Sequence, residues 1–208
     1  MTDNDPKSVT TLPEGYQQVY YLSVLDENAL LTLNIFSLVL LIVFGALTWL
    51  WQGNNNADWN ISSGWIVPAV IGIFIIHEWI HGVAIRWAGQ KPRYGVKAVK
   101  IGRIPIPIAF YATPKGEVYF PRLPLIIIAL APVVIRSLVG WVLIVLSPDD
   151  QLDWIISLAV IFNGSGAAGD IWMTREALRY GKQALIKDEA DTIRIYAPIA
   201  DPPATSAH

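Results

Sequence analysis

The chain contains no cysteine, only three histidines and few charges. Of its 208 residues 15% are Asp, Glu, Lys or Arg, and they sum to a net charge of -2. The missing thiols exclude disulfide scaffolds, iron–sulfur clusters and thiolate-bound zinc. Soluble domains carry about 25% charged residues, so the composition excludes that class, and the slightly negative balance argues against nucleic acid as a partner. What fills the chain is apolar, 53% of residues, giving a positive mean hydropathy. The length suits one domain or a handful of membrane spans with modest loops.

A membrane span takes about 20 mostly apolar residues. Four stretches qualify: residues 30–51, 65–87, 123–146 and 152–173. The third contains Pro132 and Arg136, so a kink or break there keeps a three-span count open. The region ahead of the first span, with Asp3, Asp5, Glu14, Asp26 and Glu27, reads as an acidic leader rather than a cleaved signal peptide. Residues 52–64 and 147–153 hold no Lys or Arg, whereas residues 88–122 hold seven and the tail 174–208 holds five. Basic residues concentrate on the cytoplasmic side, so both termini are expected there, with the basic loop against the inner leaflet. Tryptophans 49, 51, 65, 87 and 154 fall at span ends and read as interfacial anchors. Asn60-Ile61-Ser62 matches a glycosylation sequon, and equally a polar turn.

Between the second and third spans, residues 94–120 have strand character. Residues 104–111 alternate, Pro114-Lys115-Gly116 reads as a turn, and Glu117-Val118-Tyr119-Phe120 follows, which predicts a β-hairpin at the membrane surface. A further strand is expected near residues 192–196, and residues 201–208 read as a frayed tail. The expected fold is mainly α: a single polytopic membrane helical bundle of about four spans, residues 1–208, with a small cytoplasmic β-hairpin or sheet.

The second span contains His77-Glu78-Trp79-Ile80-His81-Gly82, an HExxH pattern. Residues four apart share a helix face, so both imidazoles can grip one zinc ion while Glu78 reaches a metal-bound water as general base. Zinc lowers the pKa of such a water from about 15.7 to about 7. A carboxylate at the centre of a bilayer costs about 2.5 kcal/mol or more without compensation, so three polar groups here need a partner. A polar helix interface or proton path is the alternative.

Catalytic zinc takes three protein ligands and an open position. With no cysteine, and with His208 as the terminal residue, the third ligand is expected to be a carboxylate. Asp170, inside the fourth predicted span, is the candidate. From Trp65 to His81 is about 24 Å of helix and from Leu152 to Asp170 about 27 Å, so the two groups reach similar depth from the outer face. The small residues from Gly164 to Gly169, with Gly82 on the second span, would let the helices approach. Asp170 as a helix cap is the plainer reading. Asn163, seven residues before Asp170 and on the same face, is a candidate substrate-binding residue, a partner for a displaced backbone group, or a packing contact. Arg136 is compatible with an ion pair, with snorkelling, or with stabilising an oxyanion.

These residues resemble a known family, the putative zincin peptidases, small bacterial integral membrane proteins related in layout to the site-2 intramembrane proteases. The resemblance rests on Leu12-Pro13-Glu14-Gly15-Tyr16, on His77 to Gly82, and on Ala129-Leu130-Ala131-Pro132. It extends through Asn163 to Asp170 with Ile171-Trp172, and to Ile193-Arg194-Ile195-Tyr196. It implies that His77, His81 and Asp170 bind zinc and that Glu78 is the catalytic acid/base. The chain lacks the Asn-Pro-Asp-Gly sequence of the site-2 proteases on its later span.

The function expected is that of a zinc metalloendopeptidase embedded in the cell membrane, acting near the cytoplasmic face on membrane proteins or peptides. The rival class is a non-catalytic membrane protein that binds metal or a partner, a pseudoprotease. Glu78 discriminates between them, since a structural site needs ligands alone.

Overall fold

The computed structural model describes residues 6–23, 26–52, 66–101, 104–147 and 150–199. Three long apolar helices coincide with the first three expected spans: α1 (Glu27–Gln52), α2 (Ile66–Trp87) and α3 (Arg122–Leu146). Each is long and apolar enough to cross a membrane. Leu31, Leu38, Ile42 and Leu47 of α1, with Leu138, Val142 and Leu146 of α3, are all exposed. An apolar surface of that extent is not left open to water by an ordinary soluble monomer.

The fourth expected span is not one rod. It divides into α4 (Asp150–Gly166) and α5 (Ala168–Arg179), bent by 41° across Ala167, and the pair counts as a fourth crossing if taken as one broken span. Gly164, Gly166 and Gly169 flank the break, and glycine is among the weakest helix formers. The Ala167 N–H is shared between the Asn163 and Gly164 carbonyls, at 3.2 and 3.3 Å, which tightens the last turn of α4 before the bend. By contrast α3, where Pro132 offered a break, runs as a single helix.

The strands form two antiparallel sheets. β2 (Pro92–Ile101) and β3 (Ile104–Pro114) make a two-stranded ribbon. A second sheet has the order β1 (Tyr16–Ser23), β6 (Thr192–Pro198), β5 (Leu185–Asp188), β4 (Phe120–Pro121). The hairpin therefore differs from the one expected. The turn after Pro114 exists, with Gly116 at φ 88°, but β3 pairs with the upstream β2. Glu117–Phe120 leads away, Tyr119 bridging to Val9 and Phe120 pairing with Ile186. A ten-residue partner satisfies more of the β3 backbone than a four-residue one would. The acidic leader supplies β1. The tail supplies the end of α5, then β5 and β6, the last at the place expected.

The core lies where this second sheet meets the helix ends, built from Ile85, Leu125, Ala129, Ala177, Ile186 and Ile195. Farther along the bundle, close approach depends on glycine. The Phe44 ring of α1 lies on Gly164, and Val160 of α4 lies on Gly140 of α3. Ser37 of α1 donates to the Ser165 carbonyl at 3.0 Å. Two small residues act otherwise than expected: Gly82 receives the Tyr94 ring of β2, and Gly169 faces open space. The Trp51 indole, expected as an interfacial anchor, donates to the Trp141 carbonyl at 2.8 Å and so also ties α1 to α3. Trp65, the sequon at Asn60 and His208 lie outside the described residues.

A methyl group on Gly140 would stand 2.2 Å from Val160 Cγ2, on a side chain too short to swing aside. Gly140→Ala is therefore expected to cost about 1–3 kcal/mol, the usual range for overpacking. Gly45→Ala, with nothing within 4 Å of the added carbon, should be neutral or stabilising. Thermal unfolding of both variants in the same detergent checks the contrast.

Candidate metal centre

His77 and His81 project from one face of α2, a single turn apart, with ring centroids separated by 4.9 Å, and both are buried. Asp170 stands in the first turn of α5, where the positive end of the helix dipole favours a carboxylate. The bend at Ala167 sets that first turn against α2. Asp170 Oδ2 lies 3.2 Å from His77 Nε2 and 3.4 Å from His81 Nε2, and the two Nε2 atoms are 3.2 Å apart.

The far sides of the rings show what these nitrogens carry. His81 Nδ1 lies 2.9 Å from the Ile128 carbonyl oxygen, which can only accept, so Nδ1 is the protonated nitrogen. His77 Nδ1 lies 3.1 Å from Asn163 Oδ1. The Asn163 amide nitrogen faces the carbonyls of Pro132 and Val133, so its oxygen is the atom offered to His77. In the neutral rings, both Nε2 lone pairs then converge with a carboxylate oxygen. Such a set repels itself unless a cation or proton sits among its members. Ligands about 2.0–2.1 Å from a tetrahedral zinc are spaced about 3.3–3.4 Å apart, close to the 3.2, 3.2 and 3.4 Å found. The residues fit zinc, held by His77, His81 and Asp170. Hydrogen bonds that orient the non-ligating ring nitrogen are the usual complement of such sites.

Glu78 is one residue round the helix from His77. It is partly buried and faces the backbone N–H of Ala112 on β3. Two cavities meet at this point, both lined by His77, Glu78, Phe110 and Gly166. The first, about 220 Å³, runs between β3 at Tyr111–Thr113 and the β5–β6 turn at Asp188–Ile193. Burial, reinforced by the Asp170 carboxylate, pushes the Asp188 carboxyl in its wall up to about 6. The second, about 160 Å³, is walled on one side by Ile73, Phe74 and Phe162 and also lined by Asn163, with Phe74 and Phe110 stacked at 6.4 Å.

Of the residues singled out from the sequence, His77, His81 and Asp170 come together and Glu78 stands beside them. Asn163 is fully buried. It lines the second cavity, and its amide is engaged by His77, Arg136 and α3 backbone. Arg136, weighed for an ion pair, for snorkelling and for an oxyanion, donates to the Ile73 carbonyl at 2.8 Å and to Asn163 Oδ1 at 3.0 Å. The backbone contribution of Ile128 and the cavity walls at Thr113 and Asp188 were not foreseen. Carbonyl direction and the placing of a turn over a cleft leave no mark on residue type.

Two imidazoles and one carboxylate on a single coordination position, with a second carboxylate beside an open cleft, are the arrangement of a metal-dependent hydrolase. The family model described as "Putative zincin peptidase" matches residues 70–185, more than half of the chain and every residue of this centre, and the chain belongs to that family. No curated protein and no solved structure matches the chain.

One zinc per chain is expected from elemental analysis of protein extracted in detergent without chelator. His81→Ala and Asp170→Ala should each weaken binding by more than about 100-fold, beyond what loss of an orienting partner costs, while Asp188→Asn keeps the metal. Full occupancy in either ligand variant would dismiss the three-residue centre.

Proposed function

We propose that the chain is a membrane-embedded zinc endopeptidase that hydrolyses peptide bonds of membrane or membrane-proximal substrates near the cytoplasmic face. The observation that carries this reading is the convergence of His77, His81 and Asp170 beside Glu78, at the meeting point of two cavities. A three-ligand set leaves a coordination position open, whereas a structural site would close it with a fourth.

Zinc bound there supplies Lewis acidity, acidifying water and polarising a carbonyl. Glu78 takes the proton of the attacking water and returns it to the departing amine, the work of a general base that becomes a general acid. A helical substrate has its carbonyls bonded internally and must unwind to offer one. The free edge of β3, along the wall of the larger cavity, suits an extended segment adding as a strand. The cavity walled by Phe74 and Phe162 suits a bulky apolar side chain next to the cut bond. Membrane embedding is supported by the exposed apolar faces of α1 and α3. The basic residues between α2 and α3 and after α5 favour the inner leaflet for the sheet side.

Glu78→Gln is expected to retain zinc and lose about 10²–10⁴-fold in turnover. Comparing membrane-protein fragments in cells carrying wild type and this variant checks the loss, and identical fragments would favour a non-catalytic metal protein.

A further inference from the structure

α3 acts on both histidines from the side of each ring that faces away from the metal position, on His81 directly and on His77 through Asn163 of α4. His81 Nδ1 donates to the Ile128 carbonyl at 2.9 Å. In an uninterrupted helix that carbonyl accepts the N–H of the residue four places on, here Pro132. Proline has no N–H, and Pro132 sits fully buried in mid-helix. The carbonyl left open by that missing bond is the one His81 uses. One turn further, Arg136 Nη1 donates to Ile73 O at 2.8 Å and to Asn163 Oδ1 at 3.0 Å. Asn163 Nδ2 lies 3.3 Å from Pro132 O and 3.5 Å from both Val133 O and Ser137 Oγ. A guanidinium only donates and a carbonyl only accepts, so Asn163 is held with its oxygen toward His77.

We propose that Pro132 and Arg136 are positioning residues that fix both imidazoles as Nδ1–H tautomers, with Nε2 aimed at the metal position. Pro132 acts on His81 by freeing a carbonyl. Arg136 acts on His77 by fixing which end of the Asn163 amide it meets. With a residue able to donate at position 132, the helical bond would close and draw the Ile128 carbonyl back toward the axis. Without Arg136, Asn163 is free to turn its NH₂ toward His77, which would put the ring proton on Nε2. The functional meaning rests on the zinc endopeptidase reading above, but the hydrogen bonds at Nδ1 exist with or without the ion.

The test uses full-length protein labelled with ¹⁵N-histidine in detergent, metal-free and zinc-loaded. Long-range ¹H–¹⁵N spectra assign the tautomers, chelator competition gives zinc affinity, and thermal unfolding gives stability. In zinc-loaded wild type both rings should read as Nδ1–H, and in the metal-free protein both Nδ1 atoms should stay protonated whichever Nε2 takes up the proton that offsets the carboxylate. Pro132→Ala should unfold at or above the wild-type temperature, because alanine is the better helix former, yet bind zinc about 10–100-fold more weakly, the usual cost of losing an orienting partner. Its His81 should lose the Nδ1–H signature while His77 keeps it. Arg136→Met should do the reverse, altering His77 alone, and Arg136→Lys, still a donor, should restore part of the affinity. Unchanged tautomers and affinity in Pro132→Ala would overturn the proposal. So would a loss of affinity that comes only with a collapse in unfolding temperature. A wild type without zinc would overturn the endopeptidase reading, while the metal-free spectra still decide this one.

Discussion

Three atoms that repel one another are held within 3.4 Å: the Nε2 lone pairs of His77 and His81 and a carboxylate oxygen of Asp170. Neither ring can relieve that repulsion by turning, because each Nδ1 is committed elsewhere. A divalent cation at the centre would convert the repulsion into a cross-link between α2 and α5. Much of the architecture serves that convergence. α2 supplies two donors from one face, the bend at Ala167 delivers the third, and α3 stands behind His81 while Asn163 of α4 stands behind His77.

The requirement explains why departures from regular structure gather near the site. A proline lies inside α3, a helix breaks between two glycines, and an asparagine with all its hydrogen-bonding atoms in use is buried among apolar side chains. Each would be a liability in a bundle built only for packing, since a buried amide without partners costs about 1–3 kcal/mol. Here each is matched by a neighbour of complementary character. Asn163 meets Arg136, two carbonyls and His77, and the open carbonyl of α3 meets His81.

How much of this could be read from residue order follows from what residue type encodes. Three helices were legible to within a few residues, because about 20 apolar residues in a row leave little choice of structure. The histidine pair was legible because a four-residue interval on a helix is a distance. Asp170 was legible by chemistry, through the lack of cysteine and of further internal histidine, but its reach was not: a straight fourth span was expected, and the bend between α4 and α5 brings the carboxylate home. The ribbon was misread because alternation marks a strand without naming its partner, and β2 outcompeted the nearer but shorter Glu117–Phe120. Arg136 was visible as a base in the middle of a span, yet its role depends on which way an amide on another helix points. The position of Pro132 four residues after Ile128 was a signal that could have been used. An intrahelical proline names the carbonyl it leaves unbonded.

The second sheet carries one more consequence. β1 precedes α1, β4 lies between α2 and α3, and β5 and β6 follow α5, yet all four strands pair edge to edge. Three points along the chain are thus stitched together at one end of the helices. Parity then fixes the count: α1 and α2 must go out and return, and α3 must be answered by a second passage back. The bent pair α4–α5 thus carries the chain from the far end of α3 back to the sheet. With that pair taken as one span, the lengths able to cross a membrane number four, the even count that the sheet requires.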